Sequence, residues 1–371
     1  MEGYSTITVD KAVKIDNAIF VDVRSPVEYI AGSIPGAVNI PLFSDVERAV
    51  VGTVYKTIGP DKAKQQGLEF VSSKLPDMVA QFRALESQCQ NLIVYCWRGG
   101  MRSQALVSVL GLMGIKAFQL VGGYKAYRRY VLESLLNFPL TAEIVVICGS
   151  TGAGKTKLLD ILGKRGLPVI NLERIANHRG SIFGHIGLGS PTTAKNFDAL
   201  LLSRLCQLKD SPYIIVECES RRVGNAFLPD VIYNAMQCGK KALLKTSLEI
   251  RIDRLIEDYS ALNKETELDI RESIKSLTRK LGHRKIDMLL NLYSAGAIRE
   301  VTKILLTDYY DPLYGYEHSS PGDYDIILDG DDLEGAAAQM EDFMGKIGQV
   351  RRNDACSQSG TSCAPNASKR V

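Results

Sequence analysis

The stretch EIVVICGSTGAGKTKLL, residues 143–159, decides the fold of the larger part of this chain. Its first half is a near-continuous apolar run rich in β-branched residues, the pattern of a strand covered on both faces of a parallel sheet. The run stops at a glycine-rich loop, and from Lys155 the spacing turns helical. Glycines let successive backbone N–H groups curl round phosphate oxygens, Lys155 adds a point charge, and Thr156 offers a hydroxyl to a Mg²⁺ ion. Strand, loop and helix in this order make a phosphate-binding loop. Its candidate phosphate contacts are Gly149, Ser150, Thr151, Gly152, Ala153, Gly154, Lys155 and Thr156.

Toward the C-terminus the alternation continues: PVINL (168–172), a helix over 194–209, YIIVE (213–217), and a helix over 228–238. KALLKT (241–246), a helix over 248–261, YDIILD (324–329) and a helix over 332–346 complete it, around a mainly helical insert at about 262–307. This predicts a doubly wound α/β domain over 143–346. Glu217 and Glu219 fall at the sheet edge where ligands bind, as candidate holders of the metal or contacts to substrate. With Glu in a role usually given to Asp, ordinary ATP chemistry is less expected. Arg251 and Arg254 lie one helical turn apart, as phosphate clamps would; a solvated helix face is the alternative. Residues 347–371 are rich in Ser, Gly and Asn and are expected to be disordered.

Toward the N-terminus, residues 1–136 also alternate, with IFVDV (19–23), a helix from Pro26, an amphipathic stretch within 60–88, NLIVY (91–95), a helix from Ser103, KAFQL (116–120) and a helix from Tyr124. A second α/β domain with a mostly parallel sheet follows, and NFPLTAE (137–143) reads as the linker. Two domains suit 371 residues with 45% apolar content. The net charge of +3 gives no global field for nucleic acid, so such a partner needs local basic patches. No leader or membrane-length apolar run is visible, which predicts a soluble, cytoplasmic protein with no membrane partner. Eight cysteines and four histidines show no paired metal spacing, so reduced thiols and no structural metal are expected. Cys148, Cys206 and Cys238 read as small buried hydrophobes.

Cys96 differs from these. In YCWRGGMRSQA (95–105) it ends an apolar strand and precedes Gly99 and Gly100, with Ser103 as the expected cap of the next helix. Curled backbone N–H groups, a helix N-terminus and the charges of Arg98 and Arg102 would all stabilise a thiolate, so Cys96, Arg98 and Arg102 are the candidate catalytic residues.

With VDVRSPVEYIAGSIPGAVNIPL (21–42) upstream, this domain resembles the rhodanese family, although Ser33 stands where a histidine is frequent. The resemblance implies sulfur carried as a persulfide on Cys96 and a scaffolding role for Asp22 and Arg24. Five residues separate Cys96 from Arg102, one more than in many single-domain rhodaneses, which suggests a wider cradle for a phosphate-bearing donor or a chalcogen larger than sulfur. The spacing equals that of cysteine phosphatases, but Tyr95 stands where those have histidine.

ANHRGSIFG (176–184), QLVGGYKAYRRYV (119–131), LLTDYYDPLYGYE (305–317) and AFLPD (226–230) extend the likeness. Together they resemble the bacterial tRNA 2-selenouridine synthase family. The resemblance implies exchange of sulfur for selenium in wobble 2-thiouridine of tRNA, with selenophosphate and geranyl diphosphate as co-substrates, a geranylated intermediate and no tightly bound cofactor. It also implies the selenophosphate-producing enzyme as a partner. The diphosphate is assigned to Gly149–Thr156 and selenophosphate to the Cys96 loop, where Cys96 either carries a perselenide or assists loss of phosphate. His178, Arg179 and Ser181 are candidate lining residues of the prenyl-transfer site, or else a structural turn.

For tRNA, Lys125, Arg128 and Arg129 alternate with Tyr124, Tyr127 and Tyr130, suiting phosphate contact and base stacking. Arg271, Lys275 and Arg279 recur at helical spacing, with Lys280 and Arg284 adjoining, as a second track or a solvated face. Two rival readings remain open: an ATP-dependent tRNA sulfurtransferase carrying a Cys96 persulfide, and a non-enzymatic persulfide-carrying adaptor.

Overall fold

The computed structural model describes residues 5–259, 264–314 and 321–359. It divides into one unit of Met1–Phe138 with Thr193–Ser203 and another of Pro139–Thr192 with Arg204–Val371. The division falls inside the expected linker. That Thr193–Ser203 groups with the first unit was not legible, because the helix Ala194–Gln207 reads as one element.

The first unit is built on a five-stranded parallel sheet: β1 (Thr6–Ile7), β2 (Ala18–Asp22), β3 (Val38–Asn39), β4 (Asn91–Tyr95) and β5 (Ala117–Leu120), in the order β1-β5-β4-β2-β3. Leu92, Ile93, Val94 and Tyr95 of β4 are sealed, which is why the strand reads as an unbroken apolar run. Val21, Phe82, Val94, Leu106 and Leu110 share one core. A helix the sequence reading missed, Asp45–Thr57, precedes the two into which the amphipathic stretch of 60–88 resolves, Pro60–Ser72 and Leu75–Glu86. The missed helix begins with a capping box, the Ser44 hydroxyl accepting from the Glu47 N–H and the Glu47 carboxylate accepting from the Ser44 N–H. None of its residues is fully buried, and Val51 packs against the core.

The second unit holds β6 (Glu143–Cys148), β7 (Val169–Ile170), β8 (Tyr213–Glu217), a small antiparallel pair β9 (Arg222–Val223) and β10 (Ala226–Phe227), then β11 (Lys240–Lys245) and β12 (Ile326–Asp329). The main sheet is all parallel in the order β12-β11-β6-β8-β7. The strand that feeds the phosphate loop is therefore central, and the helix Lys155–Lys164 follows it directly. The insert folds as helices Lys264–Ser276, Thr278–Leu281, His283–Ser294 and Ile298–Leu305. Ile274, Leu277, Ile286, Leu289 and Leu306 form a core there that also takes in Ile252. The closing helix runs Leu333–Ser359, past the expected end at 346, and 360–371 lie outside the described residues.

Cys148 is buried as expected, but Cys206 and Cys238 are exposed, since each sits on the outward side of an amphipathic helix. No helix among the described residues is long and apolar enough to cross a membrane.

Candidate functional site

β4 delivers Cys96 to the carboxyl end of the first sheet, where the loop to the helix Met101–Leu112 closes over it. The thiol is 3% exposed. Its sulfur accepts from the Gly100 N–H at 3.3 Å and lies 3.2 Å from the Ser103 hydroxyl. Ser103 is not the helix cap, a position held by Gly100; it sits in the first turn and faces back toward the sulfur. Gln119 Nε2 donates to Ser103 Oγ at 2.9 Å and to the Gly99 carbonyl at 2.8 Å. With that lone pair filled, the single Ser103 proton has two acceptors, the sulfur and the Gly100 carbonyl at 3.2 Å. A thiolate is the stronger of these.

Burial pushes the Cys96 thiol up, yet the Ser103 hydroxyl and N–H, the Arg102 charge and the Gly100 N–H outweigh it, and the net shift is downward. Arg102 itself pairs with Glu28 at 2.7 Å. Arg98 is exposed and is not among the leading groups that hold the thiol down. Alkylation of Cys96 by iodoacetamide should therefore rise with pH through a midpoint below that of an ordinary free thiol. Ser103→Ala should move that midpoint up; an unchanged midpoint would refute this account of the cradle.

The cradle depends on close backbone approach. Gly99 and Gly123 both have positive φ, and a Cβ on Gly123 would fall 2.2 Å from the Cys96 carbonyl oxygen and 2.5 Å from the Gly99 nitrogen. Gly123→Ala is thus expected to cost at least the ~1–2 kcal/mol of a left-handed non-glycine residue and to slow alkylation of Cys96. Denaturant melts and the alkylation rate check this.

Beneath the loop, Asp22 and Arg24 form a fully buried pair. Arg24 also donates to the Gly32 carbonyl at 2.6 Å and lies 4.1 Å from the Tyr124 ring centroid. This is the scaffold role expected of the pair.

In the second unit the phosphate loop opens on a pocket of about 390 Å³. Thr151–Thr156, His178, Arg179, Ser181, Glu219 and Arg254 all line it, so most of the residues singled out for this site converge there. Lys155 Nζ donates to the Gly149 carbonyl at 2.8 Å, and Thr156 Oγ1 donates to Glu173 Oε2 at 2.6 Å. His178 Nδ1 accepts from the Gly180 N–H at 3.1 Å, burial lowering its proton affinity. Arg179 donates to the Ile186 carbonyl at 2.9 Å and stacks over Tyr259.

Arg251 departs from the expected clamp. It is 4% exposed, ion-paired with Asp311 and bound through Nε to the Thr151 carbonyl at 2.9 Å. Its place on the helix faces inward, so it braces the loop from behind. Arg254 reaches the pocket but also braces, donating to the Ala153 and Gly330 carbonyls at 2.6 and 2.7 Å.

The two glutamates separate as well. Glu217 is sealed, with Oε1 accepting from the Glu173 N–H at 2.7 Å and Oε2 without a hydrogen-bond partner. Burial, then the Glu173 charge, raise its carboxyl to about 8. Glu219 lines the pocket and is raised for the same two reasons, against the pull of Lys155. Glu173 was missed; the readable signal was its position just past the short strand β7, at the ligand edge of the sheet.

Residues 142–342 match the family model described as the tRNA 2-selenouridine synthase AAA domain, and 7–130 match that of the rhodanese-like domain. A tRNA 2-selenouridine synthase from Nitrosomonas europaea is 35% identical over 308 residues, covering 81% of this chain and 80% of that protein. One from Bordetella bronchiseptica is 34% identical over 355 residues, covering 86% and 95%. The chain belongs to the tRNA 2-selenouridine synthase family. Among solved structures, an N-terminal domain from Clostridium difficile 630 is 47% identical over 34% of this chain and 99% of that one, at a TM-score of 0.34.

The basic tracks singled out for tRNA are only partly available in this member of the family. Tyr124 and Tyr127 are buried, because the i, i+3 spacing turns them inward into a ladder of rings with Tyr95 and Tyr130; they offer no face for stacking bases. Arg128 pairs with Asp198 at 2.6 Å, while Lys125 and Arg129 are exposed. Arg271 pairs with Glu267 at 3.2 Å. Lys275, Arg279, Lys280 and Arg284 are exposed, but the helix breaks at Leu277, so they do not form one continuous face.

Proposed function

We propose that the chain is a tRNA-modifying transferase that replaces sulfur by selenium in wobble 2-thiouridine, through an S-geranylated intermediate made from geranyl diphosphate, with selenophosphate as donor. The observation that carries this is a thiol set against the Gly100 N–H and the Ser103 hydroxyl together with a phosphate loop, in a chain of this family.

In the first step the thiocarbonyl sulfur attacks C1 of the geranyl group, the C1–O bond breaks and diphosphate leaves, while N3 of the base gives up its proton. A poor leaving group becomes a thiol leaving group, and C2 becomes electrophilic. In the second step selenium of selenophosphate adds at C2 and geranylthiol leaves with a proton. The Cys96 thiolate, to which we assign the loss of phosphate, then attacks phosphorus. The P–Se bond breaks with its electron pair going to selenium, which becomes the selenocarbonyl as N3 takes up a proton, and water hydrolyses the phosphoryl group from Cys96 as phosphate. The donor would come from the selenophosphate-producing enzyme.

Diphosphate suits the N–H groups of Gly149–Thr156 with Lys155. Thr156 and Glu173 offer hard oxygens that suit Mg²⁺, which would neutralise charge on the leaving diphosphate. A ten-carbon chain on the base needs an apolar bed near Cys96. A groove of about 1010 Å³ lined by Phe43, Val71, Leu75, Met101 and Leu106 supports that need.

Nucleoside analysis of tRNA from a strain lacking the gene tests the reading. The expected result is loss of 2-selenouridine with 2-thiouridine retained. Loss of 2-thiouridine would favour an ATP-dependent sulfurtransferase, and an unchanged profile the adaptor.

A further inference from the structure

We propose that the pocket beside Trp97 receives one unstacked nucleotide of the RNA substrate, its base lying on the indole and its phosphate meeting Arg48 and Lys195. The inference rests on the RNA-modifying reading above. The pocket has a volume of about 280 Å³ and is lined by Arg24, Glu28, Ala31, Arg48, Trp97 and Lys195, all in the first unit.

Trp97 follows Cys96 directly, so a base on its indole stands next to the thiol loop. The ring is held from below: the Tyr124 centroid is 5.8 Å away and the Arg24 guanidinium 5.9 Å, with Arg24 itself fixed by Asp22 and Gly32. Yet 37% of Trp97 remains exposed. A rigid, partly exposed aromatic surface is how proteins take single-stranded bases, and an anticodon loop presents bases that can be splayed out.

The charges around it select the ligand further. Arg24 is balanced by Asp22, and Glu28, the one acidic residue of the lining among the described residues, pairs with Arg102 at 2.7 Å and Arg48 at 3.6 Å. Lys195 adds a third cation at the rim, its stem packed over Gly32 and its head exposed. The surplus is positive, which suits a phosphate. A bare anion has no use for the indole, and an apolar chain would desolvate three cations; a nucleotide uses both features.

Trp97 is the only tryptophan in the chain, so its emission reads this pocket. An anticodon stem–loop RNA carrying wobble 2-thiouridine should quench the emission with the same midpoint as filter binding. Trp97→Ala should raise Kd about tenfold or more, and Trp97→Phe should restore most of the affinity, because stacking tolerates the exchange of one ring for another. Lys195→Glu should weaken binding and reduce the slope of log Kd against log salt by about one phosphate contact. Full-affinity binding with unchanged emission and an unaltered Kd in Trp97→Ala would overturn the proposal. So would emission that responds to inorganic phosphate but not to RNA. Failure of the RNA to bind the wild-type chain at all would remove the functional reading, and this subsite with it.

Discussion

Replacing Cys96 with alanine should abolish selenium incorporation, by about a thousandfold or more as expected for loss of a reacting group, while S-geranylation of 2-thiouridine continues. The geranylated nucleoside should then accumulate. Lys155→Ala should do the reverse, cutting geranylation by about 10²–10³-fold through loss of charge on the departing diphosphate, and leaving selenation of a pre-geranylated RNA intact. Separate assays of the two half-reactions with each variant check this. Loss of geranylation in Cys96→Ala, with selenation of pre-geranylated RNA intact, would reverse the allocation. The contrast should be sharp because the two groups sit in different units. Cys96 has its sulfur against Gly100 and Ser103, whereas Lys155 donates to the Gly149 carbonyl.

Asp22→Ala should be strongly destabilising to the first unit. It would leave Arg24, 1% exposed, as a charge without its counterion amid Tyr95, Trp97 and Tyr124. Breaking one half of such a buried pair costs about 3–5 kcal/mol. Emission of Trp97 reports unfolding of this unit alone, so a denaturant titration followed by that signal measures the loss. A change below about 1 kcal/mol would show that the pair is not the strut described, since that is the scale of an exposed pair.

The strands that carry both sites were legible because sealed parallel strands read as continuous apolar runs. NLIVY became β4 unchanged and the run before the phosphate loop became β6. The helix after the loop begins at Lys155, as its spacing predicted. β1 and β3 escaped notice because two residues cannot show a period. The residues that complete each site were hidden for a different reason. Glu28 meets Arg102 across 74 positions, Gln119 meets Gly99 across 20, and Asp311 meets Arg251 across 60. No local pattern encodes such pairings. Whether Arg251 clamps a ligand or braces a loop depends on where the insert returns Asp311, and helical spacing is blind to that.

One measurement tests the central claim most directly: nucleoside analysis of an anticodon stem–loop carrying 2-thiouridine after incubation with the purified chain, geranyl diphosphate and selenophosphate. The account predicts that S-geranyl-2-thiouridine appears first and is replaced by 2-selenouridine. Recovery of 2-thiouridine unaltered under conditions where the RNA is bound would contradict it.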